Sequence, residues 1–84
     1  MVKAIKFYAT WCGPCRAYTK TWDRVKEELS NEAEFIEVDI DKDTEGLAAK
    51  YKIRSVPTTI FINEQDTVKK VGILSESEIK ELIK

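Results

Sequence analysis

Trp11-Cys12-Gly13-Pro14-Cys15 is the stretch that decides how this chain is read. It holds both cysteines, follows an apolar run and opens a region of helical periodicity. Two cysteines separated by two residues at a strand-to-helix junction have the form of a dithiol/disulfide centre that exchanges with other disulfides. Gly13 permits tight local geometry, and Pro14, near the first helical position, lacks only an amide hydrogen that the helix would not use there. Cys12 then lies just before the helix, where unpaired N–H groups and the positive dipole end favour a thiolate. One pKa unit gained there corresponds to ~1.4 kcal/mol. Cys12 is therefore expected to attack, and Cys15, one step into the helix and nearer the interior, to resolve. The alternatives are a structural disulfide, two small buried side chains, or part of a metal site. A staple closing so short a loop removes little unfolded-state entropy, and a closed zinc site wants four ligands where this chain has two cysteines and no histidine. No metal and no cofactor are expected.

Upstream of the motif, residues 2–8 are apolar and partly alternating, with Lys3 and Lys6 interposed, and read as an inner strand. Downstream, Tyr18, Trp22, Val25 and Leu29 recur at helical spacing and form one apolar stripe, which should end near Ser30-Asn31. Residues 34–40 alternate as a second strand, parallel to the first through a right-handed crossover. Asp41 or Asp43 is a candidate cap for a short helix through Leu47, Ala48 and Tyr51, with Gly46 weakening its continuity. A third strand begins after Pro57, a turn occupies residues 63–66, and residues 67–73 return antiparallel as the fourth. Ser75 and Glu78 form a capping box for the last helix, with Leu74 and Ile79 as its hydrophobic staple. The order is β-α-β-α-β-β-α, a mixed four-stranded α/β sheet flanked by three helices.

With 84 residues, 43% apolar and 35% charged, the chain is expected to form one domain over residues 1–84. A formal net charge of -1 with scattered charges gives no footprint for nucleic acid. No apolar run approaches the roughly 20 residues of a membrane helix, and no secretory leader is legible at the first residues, so a cytoplasmic location is expected. In reducing cytosol a close cysteine pair is more often catalytic or metal-binding than a permanent staple.

Three separated motifs resemble the thioredoxin family: the WCGPC stretch, Tyr51 to Thr58 ending at Val56-Pro57-Thr58, and Lys70-Val71-Gly72. The resemblance begins at what would be the family's second strand, so a short form lacking the first strand and helix is expected, glutaredoxin-like in size. It implies a thioredoxin-like fold of sheet order 2-1-3-4 with the third strand antiparallel, and a cis Pro57, which the residues alone leave open as a mere strand boundary. It also implies Cys12 as nucleophile and Cys15 as resolving thiol, supported by Trp11, Gly13, Pro14 and Pro57. Trp11, Val56, Pro57, Gly72 and Ile73 would form an apolar platform for the partner polypeptide.

The implied function is protein-disulfide oxidoreductase, mainly reducing protein disulfides, as a monomer re-reduced by a flavoprotein disulfide reductase. The alternatives are a glutaredoxin-like enzyme using glutathione, for which no Gly-Gly-Asp segment is evident near Gly72, and a binding or assembly subunit with an incidental redox centre. Three positions depart from the family. Lys6 stands where a buried aspartate is usual and Glu37 roughly where a lysine is usual. The exchange predicts a partly buried Lys6–Glu37 pair under the active site, with Glu37 or water accepting the Cys15 proton; the alternative has Lys6 reaching solvent. A cation at Lys6 would also favour a thiolate and a more oxidising couple. Lys20 replaces a helix-kinking proline, which predicts a straighter helix.

Overall fold

A computed structural model describes all 84 residues. The elements are β1 (Val2–Tyr8), α1 (Gly13–Leu29), β2 (Ala33–Asp39), α2 (Leu47–Lys50), β3 (Thr58–Ile62), β4 (Thr67–Val71) and α3 (Glu76–Ile83), with a single 3-10 turn at Ile40–Lys42. The sheet runs β2-β1-β3-β4. β1 pairs parallel with β2 and antiparallel with β3, and β3 pairs antiparallel with β4. This is the thioredoxin-like α/β fold in the expected order.

The expectation of a short form lacking a first strand and helix is corrected by this topology. β1 and α1 are both present, β1 lies inside the sheet with a hydrogen-bonded neighbour on each side, and α1 follows it directly. The motif resemblance placed the chain's start at the family's second strand, but a fold is defined by its pairings, and these are the thioredoxin-like pairings with β1 and α1 in place.

Alternation along β1 sorts its side chains between two cores. Ala4 joins Tyr18, Trp22, Val25 and Leu29 of α1, with Phe61, Leu74, Ile79 and Ile83, on one face. Ile5 and Phe7 join Val38 and Ile60 on the other, under α2 and the segment around Tyr51. The helical stripe read from sequence is thus the main core. Trp22 meets both Tyr18 and Phe35 edge to face, with ring centroids 6.1 and 5.4 Å apart. Neither aromatic is only packing material: the Tyr18 hydroxyl shares a 2.8 Å hydrogen bond with Thr59, and the Trp22 indole donates to Glu37. Two ion pairs, Arg24–Glu76 and Lys80–Glu28, lash α3 to α1.

α1 begins at Gly13 and runs to Leu29 as one helix, with Lys20 in its interior where the resemblance would place a proline. α3 starts as expected: Ser75 accepts the Glu78 amide, and Glu78 returns a bond to the Ser75 amide. The second helix differs more. Asp43 accepts the amides of Leu47 and Ala48, but the chain enters through Gly46 at φ +69, and only four residues are helical. The glycine that weakened the helix there is what lets the backbone turn into it. β4 ends at Val71 rather than at Ile73, because Gly72 takes φ +95 and turns the chain out of the ladder.

Candidate active site

The dithiol sits at the junction where β1 leaves the sheet and α1 begins. Residues 9–12 cross from strand to helix, with the Cys12 amide donating to the Ala9 carbonyl at 3.2 Å. Cys12 occupies the N-cap in an extended conformation, and Pro14 fills the first turn of α1. Cys12 and Cys15 are joined by a disulfide with their Cα atoms 5.2 Å apart. The Cys12 sulfur accepts the Cys15 amide at 3.1 Å, in the role that a serine or aspartate oxygen plays at ordinary helix starts. Both cysteines are buried, Cys15 at 1% exposure and Cys12 at 6%.

Around the pair, the Val56–Pro57 peptide is cis, as the resemblance implies. The Val56 carbonyl lies 3.7 Å from the Cys12 sulfur. The Gly72 amide donates to the Pro57 carbonyl at 2.9 Å, which fastens the end of β4 to the Pro57 loop. Gly72 holds φ +95, a region that side-chain-bearing residues rarely adopt, with open space around its α-carbon. Trp11 and Ile73 are exposed at 65% and 51%, and Val71 at 67%. Trp11, next to Cys12 in the chain, leaves a large apolar surface in water at the motif. A shallow depression of about 160 Å³ between Trp11, Ile40, Ala48, Ile53 and Val56 continues that surface.

Three contributors were not found by sequence reasoning. Asp41, expected as a helix cap, instead accepts the Trp11 indole N–H at 2.9 Å and fixes that ring at the rim. The two are thirty residues apart, and no sequence signal joins them. Arg16 donates to the Thr10 carbonyl at 3.1 Å, bracing the loop before the motif. The Thr19 hydroxyl donates to the Cys15 carbonyl at 2.9 Å, a contact that helical i, i+4 spacing would have located.

Beneath the motif, Lys6 and Glu37 face each other in register across β1 and β2, yet they form no ion pair. The predicted pair is corrected on both sides. Glu37 is bonded by Lys26 and the Trp22 indole, while the Lys6 ammonium donates to Thr19 at 3.1 Å and stands over the Tyr8 and Trp22 rings. Lys6 does not reach solvent either: it is 3% exposed. Burial pushes its pKa below 10.5, with Glu37 and Asp23 pulling back in the other direction. A lysine stem long enough to reach α1 finds the Thr19 hydroxyl before any carboxylate.

No group of three or more His, Cys, Asp or Glu side chains is placed to hold a metal ion, and no helix is long and apolar enough to cross a membrane.

The comparisons with known proteins agree with this geometry. The thioredoxin family model matches residues 2–84. A thioredoxin of Mycoplasmoides gallisepticum is 36% identical over 81 residues, covering 95% of this chain and 79% of that protein. A thioredoxin of Staphylococcus epidermidis is 31% identical, covering 98% and 79%. Among solved structures, Fasciola hepatica thioredoxin superposes with a TM-score of 0.83 at 35% identity, covering 98% of this chain and 77% of that one. Chloroplastic thioredoxin z superposes with a TM-score of 0.87 at 26% identity, covering 99% and 75%. A disulfide at the head of α1, set beside a cis proline and carried on this pattern of pairings, makes the chain a member of the thioredoxin family with thiol–disulfide oxidoreductase activity on protein disulfides.

Proposed function

We propose that the chain acts mainly as a reductant of protein disulfides, with Cys12 attacking and Cys15 resolving. The observation that carries the assignment is the bond from the Cys15 amide to the Cys12 sulfur at the start of α1. An N–H aimed at that sulfur, backed by the helix dipole, favours its anionic form. The Cys12 thiolate attacks one sulfur of the client disulfide; a new S–S bond forms, the client's bond breaks, and a client thiolate leaves and takes up a proton. Cys15 then loses its proton and attacks the Cys12 sulfur, and the second client thiolate leaves. The second client thiolate takes up a proton as well, so two electrons have passed to the client with one proton from Cys15 and one from solvent, and the Cys12–Cys15 disulfide has formed.

Trp11, Val56, Pro57, Gly72 and Ile73 are the client platform in this reading. In it the Val56 backbone beside the cis Pro57 pairs with an extended client segment, and exposed Trp11 and Ile73 supply apolar contact; the cis bond and these exposures support it. Gly13 and Pro14 hold the spacing of the sulfurs. The reading further takes residues 1–84 as one domain, working as a cytoplasmic monomer re-reduced by a flavoprotein disulfide reductase. Faster reduction by such an enzyme than by glutathione separates this from the glutaredoxin-like alternative.

The test is the Cys15→Ser variant incubated with insulin as the disulfide substrate. A mixed disulfide through Cys12, seen by mass spectrometry, is the expected product. Accumulation of the adduct on Cys15 in Cys12→Ser, with none in Cys15→Ser, would reverse the roles.

A further inference from the structure

Of the buried side chains, Lys6 alone carries a formal charge. A buried charge is ordinarily matched by a carboxylate, since an isolated one is strongly disfavoured. Here the three ion pairs of the molecule all lie elsewhere. The ammonium instead donates to the Thr19 hydroxyl at 3.1 Å and stands 5.2 and 5.5 Å from the centroids of Tyr8 and Trp22. Ring faces attract a desolvated cation, and Glu37, which accepts the Trp22 indole N–H, fixes one of them.

The hydrogen bonds from Lys6 have one direction. Thr19 accepts from Lys6 and donates to the Cys15 carbonyl at 2.9 Å, so a cation is linked through a single hydroxyl to the backbone of the second cysteine. Bonds arranged head to tail polarise one another, more strongly where water is excluded. A positive charge behind the Cys15 carbonyl offsets part of that carbonyl's negative end. The N–H groups at the start of α1, including the one aimed at the Cys12 sulfur, then present a more positive field.

We propose that Lys6, acting through Thr19, is a positioning residue for the redox couple: its cation stabilises the thiolate of the reduced Cys12/Cys15 pair and makes the protein a milder reductant. The disulfide takes up two electrons and two protons to give two thiols, or one proton fewer when Cys12 remains a thiolate. Only that reduced state bears a negative charge, so a fixed cation favours it over the neutral disulfide. The charged groups around Lys6 are Glu37 from β2 and Asp23 and Lys26 from α1. Lys26 and Glu37 largely answer each other, their closest atoms being 3.1 Å apart.

The test equilibrates the wild-type protein and Lys6→Met in glutathione buffers of fixed ratio and follows the thiolate absorbance against pH. Lys6→Met is expected to shift the equilibrium with glutathione roughly tenfold toward the disulfide, about 30 mV, and to raise the thiolate titration midpoint. Lys6→Arg, which keeps the charge, recovers most of the wild-type value. Thr19→Val keeps the cation but cuts the relay, and shifts both readouts the same way by less. A Lys6→Met protein with unchanged potential and unchanged titration overturns the proposal; should that variant not fold, unchanged values in Thr19→Val do the same. Insulin reduction by the wild-type protein tests the activity itself, so failure of the one is read separately from failure of the other.

Discussion

One face of the sheet carries α1 and α3 over ten buried residues, tied together by ion pairs at the surface. The opposite face carries the four-residue α2 over Ile5, Phe7, Val38 and Ile60, and most of what packs there is half-buried. Its backbone also takes two left-handed conformations, at Gly46 and at Lys52. The thick face roots the helix that holds the sulfurs. The thin face borders the shallow depression between exposed Trp11 and half-buried Val56, which the proposed function assigns to the client chain. A redox site needs both: fixed geometry at the sulfurs, and a neighbouring surface that is stable without being sealed.

The largest expected effect separates the faces by stability. Trp22→Ala on the thick face should cost about 3–5 kcal/mol, whereas Leu47→Ala on the thin face should cost roughly 1–2 kcal/mol. Urea unfolding of both variants checks this; equal losses would end the distinction.

The next effect is a pH dependence carried by Tyr18, whose pKa burial raises from 10.0 to about 12, against the smaller opposing pull of its bond to Thr59. A folded-state pKa above the unfolded value means that the unfolded chain loses its proton first. The stabilisation is therefore complete below pH 10 and is lost as pH rises toward 12, by an amount on the order of 3 kcal/mol. Tyr18→Phe should flatten the stability curve in that window. Lys6 acts with the opposite sign: its lowered pKa means that the fold gains stability as pH rises from that lowered value toward 10.5. Measuring alkaline unfolding in Lys6→Met isolates the tyrosine.

The smallest effect on stability belongs to the rim. Trp11→Ala removes an exposed side chain whose one polar partner is Asp41, and should change stability by no more than ~0.5 kcal/mol. The same variant should lower kcat/KM for insulin reduction several-fold, and Asp41→Asn should lower it less. Unchanged kinetics in both would take the rim out of client binding.

Much of this molecule was legible in advance because its signals are local. Helical spacing placed Tyr18, Trp22, Val25 and Leu29 on the buried side of α1, and the Ser75–Glu78 cap needed only four consecutive positions. The short α2 was harder to bound, since its cap comes from Asp43 and its entry from the φ of Gly46, a competition between neighbouring signals. The Lys6–Glu37 pair was misjudged for a different reason. Adjacent register on two strands brings the backbones together but does not choose the partner of a long side chain, and Thr19, Lys26 and Trp22 competed more successfully.

What the sequence determined by itself was the reacting pair and its place at a helix start, because the spacing of two cysteines and the proline between them are fixed along the chain. Tertiary structure decided what surrounds that pair. The Val56 carbonyl near the Cys12 sulfur, the Gly72 amide on Pro57, the Asp41 anchor of Trp11 and the Lys6–Thr19–Cys15 relay join residues from 4 to 44 positions apart, brought into contact by the pairing of strands and the packing of α1. Apart from the step of one helical turn from Cys15 to Thr19, such contacts leave no periodic trace in a sequence, since each depends on where the whole sheet carries its residues.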